Sequence, residues 1–434
     1  MTTDRSFERH LPDLLEDLYL APTHDYRDEV LAAAVRSRQR PAWTFPGRWL
    51  PMVDITSRSV FAPRMPWRAV VMALVIVALL AAAAFVYIGS RSRVPPPFGV
   101  ARNGSIAYAA AGDIFTGDPL SGTVTRVVAG DEVDRRPLFS RDGTQIAFLR
   151  QAGDDVHQFQ LAVVPRDGGA VRILTTAPVG IPDLVEWSPD GTSLFVNTAD
   201  ARLTRYDVAG KKAPLVLAEG VHVQPGGLRP PDGAQVLYQP DGIAGTALWI
   251  MNADGTGKHS LFAGGSEASG GAIGGSVAWS PDGRLVAFGL AGANDTYARI
   301  HVINADGTDV RRLDQEPGVW VDNDLVWSPD GTRIAFNRWR QNTQTQSWDI
   351  KPIGIVPVVG GPVEDAGPAP VSDGAIFDWS PDGRTIVSIP GTILQWPSPV
   401  MTSAKPTLID PAAGTARVLD ITVGSAASWQ RLAP

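Results

Sequence analysis

The distribution of apolar and polar positions divides the chain into three regions with different periodicities. Residues 6–20 place apolar side chains at helical spacing, and residues 25–38 carry acids early and Arg late, so each segment is predicted to form a short helix. Residues 69–88 are apolar throughout and contain no charged side chain. From residue 101 onward, short apolar runs alternate with turn residues, and this pattern predicts β-strands.

The central apolar run is long enough to cross a membrane as one helix. Its twenty residues, at about 1.5 Å rise each, span roughly 30 Å, the thickness of the hydrocarbon core. Arginines flank both ends and are slightly more frequent on the N-terminal side. The sequence therefore predicts a single-pass membrane protein with a transmembrane helix at residues 68–89, a cytoplasmic N-terminus and an outer C-terminal domain.

A repeat of about fifty residues organises the remainder of the chain. Its unit is an aromatic residue followed by Ser-Pro-Asp-Gly and then by an apolar triplet such as Ile-Ala-Phe. Successive Asp residues lie 48, 42, 50, 48 and 52 positions apart, a period that suits a four-stranded propeller blade. The motif residues are Phe139, Asp142, Gly143, Trp187, Asp190, Gly191, Asp232, Gly233, Trp279, Asp282, Gly283, Trp327, Asp330, Gly331, Trp379, Asp382, Gly383 and, in a final half-unit, Trp429.

Each motif has the chemistry of a tight turn between two strands. Pro presets φ at the second position, Asp tolerates the bridge region, and Gly takes the left-handed conformation. A second turn, such as Asn-Ala-Asp-Gly, follows in each unit, so two hairpins make four strands. Half-units near Ile106 and Trp429 together make a seventh copy. The sequence thus predicts an all-β, seven-bladed β-propeller closed by the C-terminal strand, with six blades as the alternative.

The motif Trp-Ser-Pro-Asp-Gly with Ile-Ala-Phe resembles the PD40, or TolB-like, repeat of WD40-like β-propellers over about residues 101–434. This resemblance implies an extracytoplasmic binding or scaffold domain, although other members are gating domains of prolyl-oligopeptidase-like peptidases. The layout of a small helical segment, one membrane helix and an outer domain is similar to that of membrane-bound anti-sigma factors. The zinc motif that many of those carry is missing, because the chain has no Cys.

Composition and motifs limit the kinds of ligand and catalytic site that the outer domain is predicted to have. Residues 94–434 hold 36 acidic and 26 basic side chains, a net charge of −10, which does not favour binding to nucleic acid. Without Cys there is no disulfide, thiolate metal site or cysteine nucleophile. Neither a Gly-x-Ser-x-Gly elbow nor a His-Glu-x-x-His motif occurs. We therefore predict no catalytic residues, no metal and no cofactor. Separately, the richness in Arg, Ala and Gly indicates a GC-rich bacterial genome.

The candidate ligand contacts are polar residues that precede the aromatic of each copy, where the inner strands enter the channel. Asp134 and Asp322 hold the same place, five residues before the aromatic, and the resemblance implies that an Asp there often belongs to the repeat itself. Such carboxylates either cap turns in solvent or form a funnel for a cationic peptide, a metal ion or a protein loop. The residues predicted at the channel mouth are Asp134, Arg136, Asp183, Asp322, Asp324 and Asp373.

These observations favour a bacterial cell-membrane protein with five segments. They are a helical cytoplasmic segment (1–40), a Pro/Trp-rich linker (41–67), the membrane helix (68–89), a second linker (90–100) and the propeller (101–434). The leading hypothesis is a non-catalytic binding module, a sensor or anti-sigma-like regulator that binds a protein or peptide and relays to a cytosolic partner of the first segment. A structural scaffold of the cell envelope and a hydrolase using channel-lining carboxylates are the alternatives.

Overall fold

The computed structural model describes most of the C-terminal region and one short stretch before it. The predicted helices at 6–20 and 25–38 and the linker at 41–67 lie outside the described residues, and so do residues 78–97. The described ranges are 71–77, 98–175, 177–180, 182–241, 247–264, 272–291, 298–342, 344–345, 347–367, 376–389, 404–424 and 427–433.

Antiparallel strands account for nearly all regular structure in the described residues after 97. In chain order they are β1 (Arg102–Ala110), β2 (Asp113–Gly117), β3 (Val124–Val128), β4 (Asp134–Phe139), β5 (Gln145–Gln151), β6 (Gln158–Pro165), β7 (Arg172–Ile173), β8 (Val179–Gly180), β9 (Pro182–Trp187), β10 (Ser193–Thr198), β11 (Arg202–Asp207), β12 (Leu215–Glu219), β13 (Val221–His222), β14 (Gln235–Pro240), β15 (Leu248–Asn252), β16 (His259–Phe262), β17 (Ala272–Trp279), β18 (Leu285–Ala291), β19 (Arg299–Asn304), β20 (Arg311–Arg312), β21 (Trp320–Trp327), β22 (Arg333–Gln341), β23 (Trp348–Ile350), β24 (Gly354–Pro357), β25 (Glu364–Asp365), β26 (Ile376–Trp379), β27 (Ile386–Ile389), β28 (Thr407–Asp410), β29 (Thr415–Val418) and β30 (Ser428–Leu432).

The strands form seven sheets in the described residues, and these are the blades of a β-propeller. Blade 1 is β4–β8, blade 2 β9–β12, blade 3 β13–β16, blade 4 β17–β20, blade 5 β21–β25 and blade 6 β26–β29. Blade 7 contains β30 as its inner strand, followed outward by β1, β2 and β3. The predicted all-β, seven-bladed fold is confirmed, and six blades are excluded.

The repeated motif forms the turn between the first two strands of a blade, as predicted. In blade 4, the Gly283 N–H donates to the carbonyl of Ser280 (2.9 Å), and the Ser280 hydroxyl donates to the Asp282 carboxylate (2.6 Å). The same Ser Oγ accepts from the N–H of Leu285 (3.0 Å), where the second strand begins. The glycines of the six complete motifs have φ between 67° and 70°, so this position requires the left-handed region that glycine favours.

The hydrophobic core lies between neighbouring blades rather than inside any one of them. One cluster joins Ala107 and Ile114 of blade 7 to Phe139 and Phe148 of blade 1, all at most 5 % exposed. Corresponding clusters of buried side chains fill the other junctions. Each blade therefore depends on two neighbours for burial of its apolar faces, which is the physical reason why a ring must close.

Blade 7 closes the ring by joining the two ends of the repeat region. Ile106 of β1 is paired with Trp429 of β30, and both side chains are buried. The closing strand also contacts blade 1, because the Phe139 N–H donates to the Ser428 hydroxyl (3.1 Å) and the Gln430 amide donates to the carbonyl of Gly143 (2.8 Å). The predicted pairing of the terminal half-units is confirmed.

Residues 71–77 form a helix within the apolar run. No helix among the described residues is long and apolar enough to cross a membrane. The rest of the predicted span, 68–70 and 78–89, lies outside the described residues, so the transmembrane helix stays a prediction.

Candidate binding site at the turn end of the channel

The central channel has one end at which the inner strands finish, and we call this its turn end because the Ser-Pro-Asp-Gly turns follow there. A cavity of about 680 Å³ lies at this end and is lined by residues from all seven blades. Aromatic side chains form much of its wall, since the aromatic residue of each motif is the last residue of an inner strand or close to it. They are Phe139, Trp187, Trp279, Trp327, Trp379 and Trp429.

The tryptophans also connect the blades around this cavity. The indole N–H of Trp187 donates to the carbonyl of Leu138 in the preceding blade (3.0 Å). The indole groups of Trp279, Trp327 and Trp379 donate in the same way to carbonyls of the blade before them, at 3.1, 3.1 and 3.3 Å. The buried indole nitrogen of Trp429 makes no such bond in the described structure. The joint between blades 6 and 7 thus lacks a link that four other joints have.

Four charged side chains reach the cavity at positions where other copies of the repeat are uncharged. Arg141 and Arg431 stand two residues after the aromatic of blades 1 and 7, where the remaining five copies have Pro. Glu186 and Asp378 stand immediately before Trp187 and Trp379, in blades 2 and 6. The ring order 6, 7, 1, 2 therefore places an acid, two guanidiniums and a second acid on four consecutive blades.

Glu186 is the buried member of this group. Its carboxylate accepts a charge-assisted hydrogen bond from Arg141 at 3.0 Å and is only 6 % exposed. Burial raises the pKa of Glu186, while the Arg141 guanidinium and the backbone N–H groups of Leu228 and Gly226 oppose that rise. This ion pair crosses the joint between blades 1 and 2 and holds Arg141 at the rim of the cavity.

Asp378 is the open member, because its side chain is exposed to the cavity and forms no ion pair with the described residues. Desolvation by the protein around it raises the pKa of this carboxyl to about 6, although the Trp379 N–H, Arg141 and Arg431 favour its ionised form. Burial, together with the like charge of Arg141, lowers the pKa of the neighbouring Arg431 to about 10. Both shifts disfavour the charged form of the side chain, so ionised Asp378 and Arg431 cost the folded protein free energy on the side of the cavity formed by blades 6, 7 and 1.

The residues predicted at the channel mouth are distributed over different surroundings. Asp134 is buried and accepts from Arg150 of the adjacent strand at 2.8 Å, and Asp322 is buried between Arg299 (3.0 Å) and Arg338 (3.3 Å). These two carboxylates lie near the starts of β4 and β21, away from the turn end of the channel. Their shared position in the repeat thus corresponds to a structural ion pair.

The remaining predicted residues divide between the cavity and its surroundings. Asp324 lines the cavity, is exposed, and accepts a hydrogen bond from the Asn337 amide (3.1 Å). Arg136 is half-buried and donates to the carbonyl of Pro182 in the next blade (2.8 Å). The side chain of Asp183 and the whole of Asp373 lie outside what the structure describes. Of the six predicted residues, the described structure brings only Asp324 to the cavity.

The cavity combines aromatic walls with a few charged side chains. None of the four described histidines lines it, and the described residues contain no group of three His, Cys, Asp or Glu arranged to hold a metal ion. The Ser428 hydroxyl, which does line it, accepts from the Phe139 N–H. Aromatic walls with a few placed charges are what small ligands and peptide segments bind.

No protein-family model matches the sequence, and no curated protein is similar to it in sequence. Solved structures do share its fold. A puromycin-hydrolysing peptidase of Mycobacterium tuberculosis superposes with a TM-score of 0.51 at 15 % identity, over 77 % of this chain and 57 % of the peptidase. TolB of Acinetobacter baumannii superposes with a TM-score of 0.45 at 15 % identity, over 75 % of this chain and 81 % of TolB.

A third similar structure is the β-propeller domain of the trilobed protease of Pyrococcus furiosus. Its TM-score is 0.48 at 11 % identity, and the alignment covers 75 % of this chain and 96 % of that domain. All three proteins have low sequence identity to this chain. These likenesses concern the fold alone, and the seven blades of this chain are established by its own sheets.

Proposed function

We propose that this protein is a non-catalytic binding module, anchored in the cell membrane, whose propeller takes its ligand in the cavity at the turn end. The observation that supports this proposal best is the convergence of Arg141, Arg431, Glu186 and Asp378 on one aromatic cavity. A repeat that served only to build the ring would carry Pro and apolar residues there, as most copies do. Charged side chains that depart from a repeat at one common site are expected where a ligand is recognised.

Membrane anchoring is supported by the apolar run at 69–88 and its arginine flanks. In this arrangement the N-terminus is cytoplasmic, the propeller is outside, and residues 1–40 are free to bind a cytosolic partner. The module then acts as a sensor or an anti-sigma-like regulator. A reporter enzyme that works only outside the cytoplasm, fused after Pro434, should be active, and activity of a cytoplasm-specific reporter at that position would contradict this topology.

The binding function can be tested on the full-length protein in detergent with the variant Arg141→Pro. This substitution restores the residue that five other copies carry, so the turn should fold normally while Glu186 loses its partner and the cavity loses a cation. Arg166→Gln, at an exposed turn outside the cavity, is the charge-matched control. The measurement is the shift in melting temperature caused by a panel of tripeptides, amino acids and uronic acids.

At least one panel member should raise the melting temperature of the wild type and the control but not that of Arg141→Pro. A panel that stabilises none of the proteins, or stabilises all three equally, contradicts the cavity as the binding site.

The hydrolase alternative has one observation in its favour, the pKa of about 6 at Asp378, which suits a proton donor. Turnover of any panel peptide by the wild type and its loss in Asp378→Asn would establish that alternative.

A further inference from the structure

The chain enters the propeller across the cavity that we propose as the ligand site. We call residues 98–101 the entry strap. The Phe98 ring lies under the guanidinium of Arg141, with 4.4 Å between the ring centroid and Cζ, and Arg431 donates to the carbonyl of Gly99. The Ala101 N–H donates to the carbonyl of Pro381 (2.8 Å) before β1 begins. Both arginines that depart from the repeat are therefore engaged by a short peptide of the same chain.

The contacts that hold the strap are of a kind that any suitable peptide can make. A guanidinium over an aromatic face is a cation–π contact, and a guanidinium donating to a main-chain carbonyl is indifferent to the side chain. The strap thus shows what the two arginines recognise, namely an aromatic side chain followed by a peptide carbonyl. Glycine at position 99 has φ of 81°, in the left-handed region that glycine favours.

The charges left open in the cavity favour a basic residue beside that aromatic one. Asp324 of blade 5 and Asp378 of blade 6 both line the cavity with exposed side chains. Arg141 is engaged by Glu186 and Phe98, and Arg431 by Gly99. An incoming ligand therefore meets two carboxylates on adjacent blades, which attract an ammonium or guanidinium group and repel an acid.

We propose that the cavity binds an extended peptide segment of a partner protein, carrying an aromatic residue next to a basic residue, and that this segment competes with the entry strap for Arg141 and Arg431. This inference rests on the proposed function and names its ligand class. Because the strap and the ligand use the same groups, removing the Phe98 ring strengthens ligand binding. Occupancy of the cavity is then coupled to the position of the chain that precedes β1.

The test uses the full-length protein in detergent and three acetylated tetrapeptide amides, titrated by calorimetry. The first peptide is Lys-Phe-Gly-Val, the second has alanine in place of phenylalanine, and the third has glutamate in place of lysine. The protein variants are Phe98→Ala, Arg141→Pro and Val100→Ala. Val100 is half exposed on the same strap, so its truncation is the matched control for a change of the strap that leaves the arginines engaged.

The first peptide should bind Phe98→Ala at least about threefold more tightly than it binds the wild type or Val100→Ala, because the competing cation–π contact between Phe98 and Arg141 has been removed. The alanine and glutamate peptides should each bind more weakly, and Arg141→Pro should abolish the preference for phenylalanine over alanine. Equal affinity for the three peptides, or no gain in Phe98→Ala, overturns the inference. If no peptide binds while another panel ligand still stabilises the wild type but not Arg141→Pro, the peptide class is wrong and the proposed cavity function survives.

Discussion

At the scale of single residues, Asp378 is the side chain whose charge should be most visible in solution. Its pKa in the folded protein is raised from 3.8 to about 6, so the folded state binds this proton more tightly than the unfolded chain does. Ionisation of Asp378 therefore costs the folded state free energy. This contribution lowers the free energy of unfolding as the pH rises from about 4 to about 6. Above about pH 7 the carboxyl is ionised in both states and the cost is constant.

Asp378→Asn should remove that cost. We expect the variant to be more stable than the wild type at pH 8 by about 1 kcal/mol, less than the full linkage value because cavity water screens the exposed carboxylate. Near pH 4 the two proteins should have the same free energy of unfolding. Denaturant titrations at both pH values measure this difference, with Asp131→Asn at an exposed loop as control, and a gain that is independent of pH would argue against a strained carboxylate.

Two motif glycines provide a matched test of the turn geometry. Gly191 and Gly283 have the same φ of 68°, but a Cβ on Gly191 would meet nothing within 4 Å, whereas a Cβ on Gly283 would clash with the carbonyl oxygen of Pro230. Gly191→Ala should therefore cost only the left-handed penalty of about 1 kcal/mol. Gly283→Ala should cost at least about 1 kcal/mol more, because backbone atoms must move. Equal melting temperatures of the two variants would contradict this close contact.

These residues show which parts of the site can be predicted from sequence. The left-handed glycines were predicted correctly because turn conformation is set by neighbouring residues in the chain. The charged group of the cavity was not predicted, since Asp378 and Arg141 meet only after the ring has closed across more than two hundred residues. A signal was present nonetheless: Arg141 and Arg431 replace a Pro that the other copies keep. Comparing copies at each motif position would have found them.

At the scale of structural elements, the contribution of the indole hydrogen bonds between blades can be measured by comparing a Trp that makes such a bond with one that does not. Trp327 and Trp429 are both 7 % exposed, but only the indole of Trp327 donates to a carbonyl, that of Ala278. Replacement of either by Phe removes similar apolar volume. Trp327→Phe should therefore destabilise the protein by about 1 kcal/mol more than Trp429→Phe, the value of one buried hydrogen bond. Chemical denaturation measures both, and identical losses would show that these links do not stabilise the joints.

At the starts of the inner strands, a repeated sequence feature corresponds to ion pairs in the structure. The sequence showed an Asp five residues before the aromatic in blades 1 and 5, and a ligand funnel was one interpretation. In the structure Asp134 and Asp322 pair with Arg150 and Arg338, each sixteen residues later on the neighbouring strand. The hairpin register brings each pair together, so the repetition has a local structural cause. A contact of these carboxylates with a ligand stays a prediction.

At the scale of the whole molecule, the number of blades and the mode of closure were predictable because the two half-units of the repeat are complementary. The pairing of Ile106 with Trp429 confirms this. What precedes residue 98 was predicted from hydropathy alone, and the membrane helix and the N-terminal helices remain predictions. The ring could be predicted because its sequence motif repeats. The segment before residue 98 has no repeat, and its function depends on partners that composition does not specify.

The closing strand should be indispensable for stability. Deleting residues 428–434 removes a buried Trp, exposes Ile106 and Val387, and leaves β1 as an unpaired edge. We expect a loss of about 3 kcal/mol or more, comparable to the removal of one buried tryptophan from a core. Trimming only residues 433–434 is the control and should leave the melting temperature unchanged. Equal thermal unfolding of both truncated proteins would mean that the ring does not depend on β30.

The pairing of β1 with β30 also determines how the propeller would respond to mechanical force. The strands are antiparallel, with Arg102 opposite Leu432, so the chain enters and leaves the ring at the same end of one ladder. A load applied between the N-terminal segment and a bound or fused C-terminus would pull these ends apart and open the ladder one hydrogen bond after another. Such unzipping requires less force than shearing all bonds together. A tethered propeller of this kind would open first at its closing blade, while blades 2 to 5 stay folded.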